Sequence, residues 1–211
     1  MPTRSSAPAR RDAGHAPAPG RPRSASARRA VLDAARKLLQ QHGYASASIE
    51  AIAAASGVAK TTIYRSWPSR SYLFLELLVE VAIEAVPLAQ GKNPLAALRR
   101  EHREVARATE SLTGRLLVSL LGEADDDPDF HRALMARLFE PRSEAAARVI
   151  RRAQEVGAMR GDVQPLVVVD MLFGPLFYRK LVRRERVTAQ FAAQVFLNAL
   201  AGLRPPSSRA R

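Results

Sequence analysis

The sequence predicts an all-α protein with a small N-terminal helical unit and a larger C-terminal one. Apolar residues recur at helical spacing over most of the chain after about residue 24. In the C-terminal part, predicted breaks interrupt that pattern at residues 91–94, 125–128, Pro141, 157–165 and 184–188. No stretch shows the sustained alternation of apolar and polar residues that is typical of a strand. A hydrophobic fraction of 47% over 211 residues is ample for a buried core.

The positive charge is concentrated in the first third of the chain. The whole sequence carries 33 Lys and Arg against 20 Asp and Glu, a net charge of +13. Residues 1–72 hold 12 against 3 (+9), which leaves 21 against 17 (+4) for residues 73–211. Clustered cations gain free energy by releasing counterions from a polyanion, so this asymmetry favours nucleic acid or an anionic membrane surface as partner. The alternative is coding bias, because Arg outnumbers Lys 29 to 4.

The absence of cysteine excludes a disulfide framework, a thiolate metal site and a cysteine nucleophile. The N-terminus lacks the apolar segment of a signal peptide, and no uninterrupted apolar run reaches the roughly 18 residues that a membrane span needs. We therefore expect a cytoplasmic protein. Residues 1–23, which are rich in Pro, Ala, Gly, Ser and Arg, are expected to form a disordered basic arm, and residues 205–211 a disordered tail.

Residues 24–72 predict a three-helix domain with a tight turn before its third helix. The first helix ends at Gly43 in a left-handed cap, and Ser48 caps a short helix, IEAIAAAS. Gly57 then allows a turn at positive φ, a second short helix begins near Lys60, and a long helix runs over residues 70–86. Helix, glycine turn and helix form the helix-turn-helix layout, whose second helix enters the major groove of DNA.

The short helix after the turn has one apolar side and one polar side. Ile63 is expected to face inward with Ile52, and Trp67 looks exposed. Basic side chains pair with phosphate or guanine, while hydroxyls bind phosphate or place a methyl group on thymine. The side chains left on or near the outer face are Lys60, Thr61, Thr62, Tyr64 and Arg65.

Residues 28–75 resemble the N-terminal DNA-binding domain of TetR-family transcriptional regulators. The matching positions are Gly43, Tyr44, Ser48, Ile49, Ile52, Ala53, Gly57, Val58, Thr62, Ile63, Tyr64, Trp67, Pro68 and Leu73. Arg70 stands where the family usually has Lys, which keeps a charge for a phosphate contact at the start of the long helix. Ala54 stands where the family often has a charged residue, so the helix before the turn is expected to make few base contacts. The predicted DNA-binding set is Ser48, Lys60, Thr61, Thr62, Tyr64, Arg65 and Arg70, with Arg21 and Arg23 of the arm.

The sequence GRPR at residues 20–23 of the arm resembles minor-groove AT-hook segments, in which proline holds the backbone extended. The alternative is a flexible basic tail. Both interpretations predict that the arm makes DNA binding stronger and more sensitive to salt than it would be without the arm.

The resemblance implies that residues 73–204 form an effector-binding and dimerisation domain, which dimerises through its last two helices, here about 165–182 and 188–203. The segment LFGPLFYRKLV resembles one actinobacterial-type C-terminal subfamily. The predicted dimer-interface residues are Phe173, Leu176, Phe177, Phe191, Val195, Phe196 and Leu200. Gly174 and Pro175 are expected to kink the first of these helices, either to shape the dimer bundle or to open a ligand cavity.

The effector-binding residues stay unknown from the sequence. Apolar residues at helical spacing are usually plain core, so none is assigned to the ligand. The candidates weighed are Leu116, Leu120, Met135, Leu138, Phe139, Met171, Phe173 and Tyr178.

Other kinds of site lack support in the sequence. The acidic run from Glu123 to Asp129 lacks the spacing of a calcium loop, and Asp127 is better placed to cap the next helix. The histidines are scattered, with no paired metal-binding spacing, and no nucleophile with a base or phosphate-binding glycine loop is visible. We expect no metal, no cofactor and no enzymatic activity.

The function predicted by the whole sequence is a homodimeric repressor that a small apolar or aromatic molecule releases from a palindromic operator. The alternatives are an architectural DNA-binding protein without an effector, or an activator.

Overall fold

The computed structural model describes residues 21–86 and 92–205, and over these ranges the chain is helical with no strand. The N-terminal helices are α1 (Arg21–Ser46), α2 (Ile49–Ser56), α3 (Lys60–Ser66) and α4 (Arg70–Ala85). They are followed by α5 (Pro94–Thr109), α6 (Leu112–Ala124), α7 (Pro128–Leu134), α8 (Glu140–Glu155), α9 (Pro165–Phe177) and α10 (Ala189–Gly202). Two π-helical segments, Met135–Phe139 and Tyr178–Val182, follow α7 and α9.

The local signals around the predicted turn are confirmed. The amide of Ala51 donates to Ser48 Oγ at 3.1 Å, which caps α2. Gly57 ends that helix in the left-handed region, with φ of 70°. Gly43 also has positive φ, at 75°, but its ψ of 175° is extended and not left-handed, so the helical backbone is interrupted there and a short helical turn follows to Ser46.

The first hydrophobic core joins the helix-turn-helix unit to the rest of the protein. Ile52 and Ile63 meet in it as predicted, and both are fully buried. The same core continues through Phe74 of α4 to Leu120 of α6 and Phe130 of α7. The predicted domain boundary after residue 72 therefore falls inside α4, a helix that belongs to both units.

The second core lies between α5, α8, α9 and α10, around Leu98, Ile150, Leu172 and Phe196. His102 of α5 is also buried here, and its Nε2–H donates to the carbonyl of Leu172 at 2.9 Å. The carbonyl can only accept, so this contact fixes the proton on Nε2.

The predicted breaks in the C-terminal helices need two corrections. Pro141 does not end a helix, although it has no amide proton to donate, and the π-helical segment Met135–Phe139 lies immediately before it. The chain is instead helical without interruption from residue 128 to 155, with the π-helical segment Met135–Phe139 in the middle. A break that the sequence analysis missed separates α5 from α6, where the amide of Thr113 donates to Ser111 Oγ.

The break before α7 is as predicted. Asp127 caps that helix by accepting from the amides of Asp129 and Phe130, each at 3.0 Å. The expectations for residues 1–20 of the arm and for residues 206–211 lie outside the described residues. Arg21 and Arg23 do lie within them, and their backbone forms the start of α1 instead of an extended segment.

Candidate DNA-binding surface and effector cavity

Helix α3 presents a polar surface because its single buried residue, Ile63, fixes how the helix is rotated. With Ile63 in the core, Lys60, Tyr64 and Arg65 are exposed, and 49% of Tyr64 remains accessible. Thr61 is also exposed, while Thr62 and Ser48 are half-buried. Six of the nine predicted DNA-binding residues thus lie on or beside one surface, that of α3 and the start of α2.

Lys60 is the one member of this surface with an ion-pair partner. Its Nζ lies 3.1 Å from Glu50 Oε1, across the turn from α2. The backbone amide of Glu50, followed by Lys60, lowers the pKa of this carboxyl. Both side chains are more than half exposed, so the pair is weakly held and a DNA phosphate can compete for the ammonium group.

Trp67 is not exposed, contrary to the prediction. Only 3% of it is accessible, and its Nε1–H donates to Glu76 Oε2 at 3.1 Å. The guanidinium of Arg28 covers the ring, 4.8 Å from its centroid, and also pairs with Glu76. Trp67 is therefore a core residue that ends α3 and secures it to α4.

Arg70 also differs from its predicted role. Its Nη2 donates to Glu123 Oε1 of α6 at 2.9 Å, and its guanidinium stacks on Tyr44, 4.2 Å from the ring centroid. Tyr44 and Ser71 donate to the same carboxylate, the former at 2.6 Å. These contacts hold the half-buried side chain of Arg70 against α6. Arg70 is therefore not part of the DNA-binding surface proposed below.

This cluster of Tyr44, Arg70, Ser71 and Glu123 joins the DNA-binding unit to α6. Burial alone would raise the pKa of Glu123, but the hydrogen bonds from Ser71, Tyr44 and Arg70 outweigh burial and lower it. Burial, together with the hydrogen bond to Glu123, raises the pKa of the Tyr44 phenol. The cluster therefore holds an ionised carboxylate and a neutral phenol at neutral pH.

A cavity of about 780 Å³, measured to include its open mouth, lies between α4, α5, α6, α8 and α9. Its walls are mainly apolar, with aliphatic groups from α4 to α6 and three phenyl rings on the other side. The phenyl rings are Phe139, Phe173 and Phe177. A concave site with a mainly apolar lining and a few polar groups is the usual form of a small-molecule site in proteins.

Two charged side chains interrupt this apolar lining. Arg142 of α8 donates from Nη2 to the carbonyl of Val86 at 2.7 Å, at the end of α4. Glu101 of α5 is only 3% exposed. Burial lowers the pKa of Arg142, whereas the charge of Glu101 acts in the opposite direction. Three residues with hydroxyl groups, Thr109, Thr113 and Ser143, complete the polar part of the lining.

Three of the eight weighed effector candidates line this cavity: Leu138, Phe139 and Phe173. Leu116 and Leu120 belong to the first core, while Met171 and Tyr178 are exposed on the surface. The sequence analysis missed Arg142 because Pro141 was taken as a break. The helical spacing of apolar residues on both sides of Pro141 is the signal that would have placed Arg142 on a helix.

The predicted dimer-interface residues differ in how far they are buried within the protomer. Leu176 and Phe196 are buried in the protomer's own second core, and Phe173 lines the cavity, so these three are not available to a partner. The other four, Phe177, Phe191, Val195 and Leu200, are half-buried. The opposite face of the two helices is exposed and largely apolar. Its members on α9 and α10 are Leu166, Val167, Met171, Ala193, Leu197 and Ala201.

Among residues 21–86 and 92–205, no group of three or more His, Cys, Asp or Glu side chains is arranged to hold a metal ion. No described helix combines the length and hydropathy that crossing a membrane requires.

A family model described as "Bacterial regulatory proteins, tetR family" matches residues 31–77, which contain the exposed helix α3 and its supporting core. A second model, "Tetracyclin repressor-like, C-terminal domain", matches residues 93–197, which contain most of the cavity wall. The chain belongs to the TetR family of transcriptional regulators. It is thus a helix-turn-helix regulator and not a member of an enzyme family.

Individual TetR-family proteins are similar to this chain over most of its length. The TetR family transcription regulator SCO0332 has a crystal structure that is 32% identical, with a TM-score of 0.73, over 85% of this chain and 100% of that one. The uncharacterized HTH-type transcriptional regulator YdeS of Bacillus subtilis is 25% identical and covers 90% of this chain and 96% of its own. The structure of Thermus thermophilus FadR, a transcriptional repressor in complex with lauroyl-CoA, shares the fold with a TM-score of 0.68 at 22% identity, over 87% of this chain and 98% of that one.

Proposed function

We propose that this regulator is a homodimeric repressor, which binds a palindromic operator through α2 and α3 and is released by a small molecule in the cavity. The observation that carries the proposal is the exposed surface of α3, where Lys60, Tyr64 and Arg65 lie beside one another on a helix held by a buried Ile63. Arg65 and Lys60 are suited to phosphate or guanine, and Tyr64 to a phosphate oxygen.

The exposed apolar face of α9 and α10 supports the dimer. Leu166, Val167 and Met171 are 40–47% accessible, and Leu197 is 55% accessible. Small residues between them, such as Ala193, allow two helix pairs to approach closely in a four-helix bundle. A dimer would place two copies of α3 on successive major grooves, about 34 Å apart on a two-fold symmetric site.

The contacts of α4 support coupling between the cavity and the DNA-binding surface. This helix is held at its start by Glu123, in its middle by Arg137, whose Nη2 lies 3.7 Å from Glu76 Oε2, and at its end by Arg142. Arg142 lines the cavity, and Arg137 directly precedes two residues that do. A ligand that moves these walls would shift α4, and α3 with it, away from the geometry that fits the operator.

The lining of the cavity also supports an effector that is apolar or aromatic. The phenyl rings and aliphatic groups favour an apolar or aromatic body. FadR of Thermus thermophilus binds lauroyl-CoA, and an acyl chain is one apolar body that the present cavity would accept.

The first test is selection of bound fragments from random duplex DNA at about 150 mM salt, a concentration at which nonspecific phosphate contacts are weakened. The full-length chain should recover one inverted repeat, and so should a version that lacks residues 1–23. A reporter gene under the recovered site should be expressed less when the regulator is present. Recovery of no motif, with binding lost on removal of the arm, would favour an architectural DNA-binding protein, whereas increased reporter expression would favour an activator.

The dimer has its own test, in which one exposed leucine becomes charged. Leu197→Asp should convert the dimer to a monomer in sedimentation analysis and weaken operator binding, because two unpaired carboxylates would be buried at the symmetric interface. Val156→Asp is the matched control, since Val156 is equally exposed, at 63%, but lies at the end of α8. Equal behaviour of the two variants would contradict the interface.

A further inference from the structure

The cavity lining contains two charged side chains, and they determine which ligands the cavity can accept. This inference rests on the proposed function of the cavity as the effector site. Glu101 of α5 and Arg142 of α8 are the acidic and basic members of the lining, on two helices that pack against each other, and the charge of Glu101 acts on Arg142. The remainder of the lining is apolar or carries hydroxyl groups. The formal charge of the lining is therefore zero.

Arg142 cannot leave the cavity for solvent without losing contacts. Its two terminal nitrogens donate to the carbonyls of Val86 and Ala82, at 2.7 and 3.5 Å, in the last turn of α4. A cation is favourable at this end of a helix, because the last carbonyls carry partial negative charge. The guanidinium is thus fixed, and any ligand that fills the cavity must lie beside it.

We propose that the cavity binds an uncharged, largely apolar molecule with one hydrogen-bond acceptor, a carbonyl or ether oxygen, placed near Arg142. A carboxylate ligand would bring a second negative charge next to Glu101, and an ammonium ligand a second positive charge next to Arg142. Either would leave one charge uncompensated among apolar groups, where unpaired charges are costly. A neutral acceptor leaves the pair balanced and takes a hydrogen bond from a charged donor, which is stronger than one from a neutral donor.

The acceptor also explains why binding would affect α4. Arg142 has five N–H donors, and the carbonyls of Ala82 and Val86 accept one bond from each of two nitrogens. A ligand oxygen that binds one of the remaining N–H groups would draw the guanidinium toward the cavity and away from those carbonyls. Occupancy would therefore loosen the attachment at the end of α4, whereas a purely apolar molecule would leave that attachment intact.

The test compares three probes with ten carbon atoms each: 2-decanone, decanoate and decylammonium, which are neutral, negative and positive at pH 7. Titration calorimetry on the full-length chain should show that 2-decanone binds at least about tenfold more tightly than either charged probe, the penalty expected for one uncompensated charge in a poorly solvated site. Val105→Trp, which fills the cavity from α5, should weaken all three.

Single substitutions that unbalance the pair should reverse this preference. Glu101→Gln leaves Arg142 alone and should make decanoate the tightest of the three probes. Arg142→Gln leaves Glu101 alone and should make decylammonium the tightest. The double variant restores a neutral lining and should again prefer 2-decanone, and thermal melting identifies any variant that does not fold.

The outcomes separate this inference from the proposed function. If decanoate or decylammonium binds wild-type protein most tightly and Val105→Trp abolishes that binding, the cavity is the effector site but the ligand class is wrong. If Val105→Trp leaves binding unchanged, or if none of the three probes binds, the cavity is not such a site and both proposals fail.

Discussion

The DNA-binding surface and the effector cavity hold their functional side chains in opposite ways. Lys60, Tyr64 and Arg65 project from α3 into solvent, and the core beneath them consists of other residues, chiefly Ile63. In the cavity, Glu101 is itself buried, and Arg142 is itself part of the attachment of α4. Function and stability are thus separable on the surface of α3 but share the same residues in the cavity.

The largest expected effect concerns the cavity, where the same residues serve stability and function. A β-carbon on Gly114 would lie 2.1 Å from the backbone oxygen of Thr109, and both residues line the cavity. Gly114→Ala should therefore lower the free energy of unfolding by about 3 kcal/mol, because backbone atoms must move to relieve the overlap. Chemical denaturation measures this loss, and effector binding should be lost with it.

Gly122→Ala is the matched control on the same helix. No atom lies within 4 Å of the added carbon, so this change should stabilise the protein by roughly 0.5–1 kcal/mol through helix propensity. A similar loss of stability in both variants would show that the junction between α5 and α6 is not as tight as described.

The second expected effect concerns the surface of α3, where DNA binding and stability depend on different residues. Lys60→Ala and Tyr64→Ala should each weaken operator binding by roughly tenfold, the usual cost of one lost contact to DNA. Their melting temperatures and dimerisation should match those of the wild type, because neither side chain is part of a core. Fluorescence anisotropy on labelled operator measures the affinity.

Lys37→Ala removes an equally positive, exposed side chain from α1 and serves as the control for net charge. If it weakens binding as much as Lys60→Ala, the contribution of Lys60 is general electrostatic attraction. If Lys60→Ala and Tyr64→Ala both bind like wild type, α3 is not the recognition helix.

The smallest expected effect concerns His102, which joins α5 to α9 in the second core. Burial lowers the pKa of His102, despite the opposing hydrogen bond to Leu172. The unfolded chain takes up a proton as the pH falls through the ordinary value near 6.5, while the folded chain does not. Stability is therefore retained above that pH and declines below it, and the melting temperature should be a few degrees lower at pH 5.5 than at pH 7.5.

His102→Gln keeps a donor for the Leu172 carbonyl without a titrating group, so it should reduce this pH dependence. His131→Gln, on the exposed surface of α7, should leave it unchanged. An identical pH profile for wild type and His102→Gln would assign the decline to other groups.

The sequence was most informative where structure depends on neighbouring residues. The cap at Ser48, the turn at Gly57 and the inward face of Ile52 and Ile63 follow from short-range chemistry, and all were predicted. Trp67 and Arg70 were misassigned because their partners, Glu76 and Glu123, are 9 and 53 residues away and nothing local marks them.

The inward-facing sides of α9 and α10 were also difficult to predict from the sequence. Apolar residues surround much of α9, so the sequence could not determine which side packs inward, and Leu176 was assigned to a partner although it lies in the core. The cavity could not be derived for a similar reason. Its lining comes from six helical segments, and only the packing of those segments brings Glu101 and Arg142 to one space.

The π-helical segment Met135–Phe139 sets the rotational register of everything that follows it. A π turn holds one residue more than an α turn, so it rotates the next part of the helix by about 100° relative to an uninterrupted α-helix. That extra residue is what allows Arg137 to contact α4 on one side while Leu138, Phe139 and Arg142 line the cavity. Deleting one residue from the π-helical segment would leave all cavity-lining residues of α8 in the sequence. The deletion would nevertheless rotate α8 and turn Arg142 away from the cavity.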